Sequence, residues 1–582
     1  MKVASGLNGR RRPVTPLRVA LAWVISLAVL LGTGACASIP RSGSVHKSEG
    51  DSTSQLGNPP AVYFPPGPGN GASPQTIIED FYNAGSSYER DYALARQFLT
   101  QDAAASWKPD DQALVYRSAK VVKGTGDSGF FYDLDLAYAI DAQGIVTAYP
   151  AGTVRKVPLS LTQVDGQWRI RSLSDGTVIP EEIFHGLYQP YTVYFYDPSY
   201  QYAVPDIRWF INRPTVTKSI VSAVLAGPAP YLKGAVVSAF PAGARLAKES
   251  VPVVSGAAQV DFTEDLLQSS VTDRHRMLNQ LTIALRATGS VVNVQLLAGS
   301  TVVNLDDSDS VTPPMVNRPV PNWQVALLQG QLSTFENNKA QKIPGIDISG
   351  FAPRHPAAAE DQHAYAFVNQ QASDMFLVRP GQPNRDILSG ANLVRPSFDP
   401  QGWVWGGGSA AKGPQLTAVD TKSGVDPKNP PSITFGPDWL QGYTLKDAQL
   451  SRDGTRVLIL AEKGKSTSVY VAGVVRGADG APRALTEPLK LPDTRNVNQG
   501  AWVSDTIVVV ANTSGTGAEA PVRLSLKSFQ PVVMPDVVGL QGISAGNGVS
   551  DIYVQTGAGV SQQIGNTWVQ QGAGVKDPKF AG

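Results

Sequence analysis

Few residues in this chain have the type and spacing to do chemistry. The 582 residues contain one cysteine, Cys36, which removes any internal disulfide and any paired-cysteine metal or redox site. Five histidines, His46, His185, His275, His355 and His363, are scattered without the HxH or HExxH spacing a metal needs. His275 follows Asp273 by two positions, which do not face each other on a helix. Gly464-Lys465-Ser466 has the tail of a phosphate-binding loop, but no glycine stands five residues before Gly464 and no strand-to-helix pattern surrounds it. Gly406-Gly407-Gly408 follows an apolar run at 403–405 and reads as a turn. Asp306-Asp307 and Glu264-Asp265 are sequence neighbours, which alone do not make a hydrolytic carboxylate pair. These residues give no catalytic, cofactor-binding or metal site. Tyr191, Tyr194, Phe195, Tyr196, Tyr200 and Tyr202 form one aromatic-rich segment. It reads either as alternate residues packing into a core or as exposed tyrosines available for protein or glycan contact.

Cys36 acquires meaning from what precedes it. Lys2, Arg10, Arg11, Arg12 and Arg18 make a basic start without acidic residues, an apolar run covers 19–31, and small residues follow to Ala35. That order describes a secretory signal. The run is shorter than the about 20 residues a bilayer core requires. Gly34-Ala35-Cys36 resembles a bacterial lipobox, with Thr33 where Leu is usual. The resemblance implies cleavage after Ala35, with Cys36 carrying an S-diacylglycerol and an N-palmitoyl chain. Two chains give stable anchoring where one does not. An uncleaved anchor, or secretion with an incidental cysteine, remains the alternative.

The rest of the composition bounds the partners. Forty-nine basic against 48 acidic residues leave a net charge of +1, which gives no basic excess for nucleic acid. Abundant Gly (56) and Pro (44) favour many short strands joined by turns. The length suggests three or four domains.

The elements that must position everything else fall into blocks. Residues 1–35 are the signal, and 36–71 are a Pro/Gly/Ser-rich tether unable to bury a core. A small α+β domain is expected over 72–186. Its first helix starts at Ser73-Pro74, a second apolar face is formed by Tyr92, Ala95, Phe98 and Leu99, and a hairpin turns at Asp165-Gly166. A second α+β unit over 187–306 has helices near 215–226 and 273–286. A Pro-rich linker covers 307–322. Over 323–582, apart from a possible helix at 324–335, short apolar runs alternate with turns at Asp453-Gly454, Asp479-Gly480 and Asn547-Gly548. Residues 394–405 and 448–459 repeat one theme, a strand end, a Ser-x-Asp turn with Gly, then a strand. A degenerate all-β repeat predicts a β-propeller of roughly six blades at a period of about 40–50 residues. A pair of β-sandwiches is the alternative.

Ile220-Val-Ser-Ala-Val-Leu-Ala-Gly-Pro228, Phe240-Pro-Ala-Gly-Ala-Arg-Leu246, Val260-Asp-Phe262 and Met277-Leu-Asn-Gln-Leu281 resemble a GerMN domain. With Cys36, the Ala37-Ser38-Ile39-Pro40 string and the propeller-like third, the whole order resembles the LpqB lipoproteins of actinobacteria. That resemblance implies a multidomain fold of an N-terminal α+β module, an α+β GerMN module and an all-β C-terminal propeller. It also implies a non-enzymatic lipoprotein on the extracytoplasmic side of the cell membrane. Its partner would be the extracytoplasmic domain of the sensor kinase MtrB, in the MtrA–MtrB system that acts in cell-wall homeostasis and division. Binding of a cell-wall fragment or other small ligand, and a hydrolase with a loop-built propeller site, are the competing readings.

Overall fold

A computed structural model describes residues 66–124, 128–305, 311–410, 413–422, 429–494 and 496–582. Cys36, the signal and nearly all of the tether lie outside the described residues.

The N-terminal module starts where its capping chemistry demands. Ser73 Oγ accepts the Thr76 N–H at 3.2 Å, and Pro74 opens a helix, Pro74–Ala84. Its Ile77, Ile78, Phe81 and Tyr82 are buried in the module's core with residues of a six-stranded sheet. Four strands of that sheet, Gln112–Lys123, Gly129–Asp141, Val154–Val164 and Gln167–Leu173, pair antiparallel. The last hairpin turns on Asp165 and Gly166 at φ 50° and 75°, the paired left-handed geometry that matches strand twist.

The second module begins with a hairpin, Tyr188–Tyr196 and Ala203–Ile211. A helix, Val216–Ala226, ends at Gly227, whose φ of 93° suits a residue without Cβ. The helix Val271–Arg286 is capped by Ser270 Oγ. Both helices bury their apolar stripes, Ile220, Val221 and Val224 on one, Met277 and Leu281 on the other. They share a core with a four-stranded sheet in which Ala257–Phe262 and Asn293–Ala298 run parallel.

The C-terminal module is a propeller of six antiparallel sheets. The first blade takes Gln324–Leu328, Gln331–Glu336 and Lys339–Lys342 from the start of the domain and Val575–Phe580 from its end. This pairing closes the ring. The innermost strand of each later blade contacts the next in turn: Pro353–Ala358, Ser397–Phe398, Thr444–Leu450, Gln499–Trp502 and Gly542–Ala545, back to Val575–Phe580. That ring excludes two sandwiches. Two expectations are corrected. Residues 324–335 are a hairpin rather than a helix, because Gln329 and Gly330 sit at φ 51° and 75° and reverse the chain. Gly406-Gly407-Gly408 lies inside the strand Trp403–Ala410, not in a turn. A Cβ at Gly406 would stand 2.3 Å from Met375 Cε, and one at Gly407 would stand 2.5 Å from the Gln415 carbonyl oxygen. Packing and pairing contacts, not a reversal, therefore require these glycines.

The three modules are not beads on a string. Core residues of the second module, including Val236, Leu232 and Tyr231, are continuous with Leu458, Val469, Val471 and Val508 of blades 4 and 5. Thr486 Oγ1 donates to the Tyr231 carbonyl at 2.7 Å. A Cβ at Gly473 would meet Ala235 Cβ at 2.7 Å, so glycine permits this close approach. The N-terminal module is joined through Phe529 of blade 5, whose ring lies 4.3 Å from Tyr138 and 6.1 Å from Phe184 of that module and 4.8 Å from Trp209 of the second. Phe529→Ala should remove about 2–3 kcal/mol of docking energy. Hydrogen exchange should then rise across the N-terminal module while the propeller core stays protected. An exchange pattern unchanged in both modules would show that the ring contributes nothing to docking.

Candidate functional site

The ring of inner strands creates the site. Charged residues recur where these strands meet, and the sheet architecture buries them. Arg395 Nη2 donates to Asp447 Oδ2 and, at 2.6 Å, to the Gly500 carbonyl. Asp447 also accepts from the Gly500 N–H at 2.8 Å and from Gln449 Nε2 at 2.8 Å. Gln449 Oε1 in turn accepts from Lys579 Nζ at 2.6 Å, and Lys579 also donates to the Pro396 carbonyl. Beside this chain, Asp577 accepts the His355 N–H at 3.0 Å, with the His355 ring 3.7 Å away.

Burial tunes two of these groups. Desolvation pushes His355 down to about 4, opposed by Asp577 and reinforced by Arg395 and Arg354. Desolvation and then Arg395 push Lys579 down to about 7, with Asp447 opposing. For His355 the folded value lies below the unfolded one, so the unfolded chain binds the extra proton. Stability should therefore fall as pH drops from about 6.5 toward 4, by on the order of 1–3 kcal/mol from this group. Urea unfolding of His355→Gln should show a flatter acid limb in that window. An acid limb identical to the parent's would remove His355 from the account.

At one end of the ring the inner strands, the turns that leave them and the linker line an open cavity of about 70 Å³. Its wall carries Arg318, Arg395, Arg452, Lys579, Glu360 and Asp399, with Ser544 and Trp502. A second, larger groove of about 260 Å³ lies between the first two modules, where Arg213 bridges to Asp110 at 2.7 Å.

The Ser-x-Asp theme proves to be structural. Asp399 accepts the Trp403 N–H at 2.9 Å, Trp405 Nε1 at 2.8 Å and Arg476 Nη2 at 2.6 Å. Asp453 does the same work one blade later, for Ser451, Thr455 and Arg456. Both carboxylates are saturated by their own turns and neighbours.

The other candidate residues disperse. Gly464 and Lys465 form the tight turn between Arg456–Lys463 and Ser466–Arg476. His275 is buried on its helix. His363 Nδ1 meets Asp361, a pairing that could suggest a base, but Nε2 lies 2.9 Å from the Thr421 carbonyl and must donate to it. Among the described residues no group of three His, Cys, Asp or Glu side chains could hold a metal. The tyrosine segment packs rather than displays itself: Tyr196 is buried and donates to the Arg276 carbonyl at 2.8 Å, and the Arg276 guanidinium covers Tyr200 at 3.9 Å. Sequence reading missed Arg395, Asp447, Arg452 and Lys579. The available signal was a charged residue set within or beside an apolar inner strand, as in Lys446-Asp447-Ala448-Gln449-Leu450.

Comparison with known proteins gives the following matches. The family described as "Lipoprotein LpqB, N-terminal domain" matches residues 67–185, "Sporulation and spore germination" matches 192–303, and "Lipoprotein LpqB beta-propeller domain" matches 330–581. "Lipoprotein LpqB" of Bifidobacterium longum is 26% identical, covering 78% of this chain and 78% of its own. The protein of that name from Mycolicibacterium smegmatis is 25% identical, covering 91% and 95%. Among solved structures, TolB from Acinetobacter baumannii aligns at 14% identity and a TM-score of 0.35 over 46% of this chain and 68% of its own. The tandem GerMN domains of the sporulation protein GerM from Bacillus subtilis align at 12% and 0.18 over 25% and 58%.

Proposed function

The chain belongs to the LpqB lipoprotein family, since its first and third modules match that family's N-terminal and propeller domains and an LpqB relative aligns over most of its length, and on that premise we propose that it acts by binding at the outer face of the cell membrane. In this reading Cys36 carries the lipid anchor after cleavage behind Ala35. The folded modules contact the extracytoplasmic domain of the sensor kinase MtrB and modulate MtrA–MtrB signalling in cell-wall homeostasis and division. The lipoprotein is not an enzyme in this account: its turn carboxylates are saturated, and His363 presents no free base nitrogen.

The observation that supports binding most directly is the fusion of the three modules through shared cores and the Phe529 contact. A body joined in this way can favour one conformation of a partner over another, and only such a preference shifts a kinase equilibrium. Anchoring both partners to one surface would raise their effective concentration without any new contact.

The test is the affinity of the compact unit Asn58–Gly582 for the isolated extracytoplasmic domain of the cognate kinase. Saturable binding with Kd at or below about 100 μM, weakened when Phe529→Ala loosens the docking of the N-terminal module and lost when that module is deleted, supports a contact made by the joined body. Absence of binding at that concentration, with both proteins folded and also when both are anchored in one vesicle, removes the kinase from the account.

A further inference from the structure

The cavity at the end of the propeller ring has an electrostatic imbalance that the kinase reading does not use. Its wall carries four cationic side chains, Arg318, Arg395, Arg452 and Lys579, against two side-chain carboxylates, Glu360 and Asp399. Glu360 is taken by Arg318 and Asp399 by Arg476, while Arg395 is paired with Asp447. Arg452 and Lys579 are left. Arg452 Nη2 donates only to neutral carbonyls, those of Trp502 at 3.2 Å, Val503 at 3.0 Å and Gly546. Lys579 donates to one carbonyl and one amide oxygen. Among the described residues neither has a carboxylate within ion-pair distance; Arg452 is buried and Lys579 half-buried. Asp505 and Asp551 act on Arg452, and Asp447 on Lys579, only from beyond that distance. Cations removed from water without a directly paired carboxylate are costly, and natural folds retain them where something answers their charge. A third observation is independent of charge. Ser544, 2% exposed, lines the same cavity, and its Oγ has no hydrogen-bond partner. Such orphaned buried hydroxyls call for a ligand or an ordered water.

We propose that this cavity is a binding site for one small oxyanion group, a carboxylate or a phosphate, held by Arg452 and Lys579 with Ser544 Oγ as a further donor. About 70 Å³ is several times the space one water needs, roughly 10–15 Å³, and suits the anionic end of a molecule rather than a whole one. The Trp502 and Phe580 side of the wall would accept apolar atoms next to that group. The inference is independent of the kinase reading.

Lys579 supplies a signature that a merely structural lysine would lack. Its ammonium is held down to about 7 by burial and Arg395 against the pull of Asp447, with His355 and Asp577 the next titratable groups along the ring. An arriving anion favours the ammonium, so binding at pH 8 should take up a proton, and affinity should weaken as pH rises above about 7.

The full chain in detergent micelles is titrated by calorimetry with sodium acetate, inorganic phosphate, and a short alanine peptide carrying a free or an amidated carboxyl end. Expected is saturable binding of at least one probe with Kd at or below about 10 mM. Two buffers of different ionisation enthalpy should report proton uptake at pH 8. Lys579→Met and Arg452→Gln should each weaken binding at least about tenfold, and Lys579→Met should leave the melting temperature within about 4 °C of the parent. Ser544→Ala, which removes the orphaned hydroxyl, covers the case in which a cation variant fails to fold, and should weaken binding several-fold. Acetate and free-ended peptide competing for one site, with the amidated peptide silent, would identify a carboxylate; phosphate alone would identify a phosphate. The proposal is overturned if no probe binds at about 100 mM, or if binding ignores the folded variants. It is overturned equally if binding appears only once Gly582 is removed, since the Ala581-Gly582 segment on the cavity rim would then be the occupant.

Discussion

Asp453→Ala is expected to cost about 3–5 kcal/mol of folding stability, the range for breaking a buried ion pair from one side. Arg456 is fully buried, and its Nη2 donates to Asp453 Oδ2 at 2.6 Å. Its Nη1 donates to the Asp505 carbonyl at 2.6 Å, and its guanidinium lies 5.0 Å from the Trp502 ring centroid. Removing the carboxylate leaves that guanidinium without its hydrogen-bonded anion, with Asp505 the remaining acidic neighbour. The turn also loses the anchor for the Ser451 hydroxyl and the Thr455 N–H, at 2.6 and 2.8 Å. The double variant Asp453→Ala with Arg456→Met should recover part of the loss, because deleting both partners removes the stranded charge. Urea unfolding of parent, single and double variants measures this. A single-variant loss under about 1 kcal/mol would mean that water reaches the pair and that the turn is not locked by it.

The same turn shows how far the sequence could be read. The Ser-x-Asp-Gly theme at 451–454 and its partner at 397–402 were visible as text, and they lie at corresponding points of blades 3 and 4. What text could not show is which charge each aspartate meets. Asp399 pairs with Arg476, 77 positions away, because two blades come side by side. The capped helices were legible for a related reason: Ser73, Ser270 and Gly227 act on neighbours within four residues. The hairpin at 324–336 was misread because its short apolar run, Val325 to Leu328 followed by Leu332 and Phe335, fits a helix as well as a buried strand. Only the two left-handed residues Gln329 and Gly330 decide it. The triple glycine at 406–408 was misread for the converse reason, since glycine marks both turns and close approach, and the deciding atoms belong to Met375 and Gln415. The cavity was illegible for a third reason. Arg452 and Lys579 are ordinary charges in the chain and become unusual only when the ring closes, burying Arg452 and half-burying Lys579 beside it. Chemistry set by non-local burial leaves little trace in spacing.

Cys36→Ser tests the proposed anchor and should have the largest effect on where the protein resides. Each acyl CH₂ buried in the bilayer contributes about 0.8 kcal/mol, and two chains make attachment stable where one leaves it reversible. The serine variant would keep only the apolar run 19–31, shorter than the about 20 residues of a secure span. No helix of the described residues is long and apolar enough to cross a membrane and replace it. Intact mass should show the parent without residues 1–35 and with added acyl mass, and the variant with neither change. On detergent phase partitioning the parent should enter the detergent phase and the variant should shift strongly to the aqueous one. Equal partitioning with identical lipid-free masses would remove lipidation from the account. The affinity of the folded unit for its partner in solution should be the same in both chains, because Cys36 precedes that unit. Any loss of kinase response in the variant would then measure the local concentration that the anchor provides, separately from the contact itself.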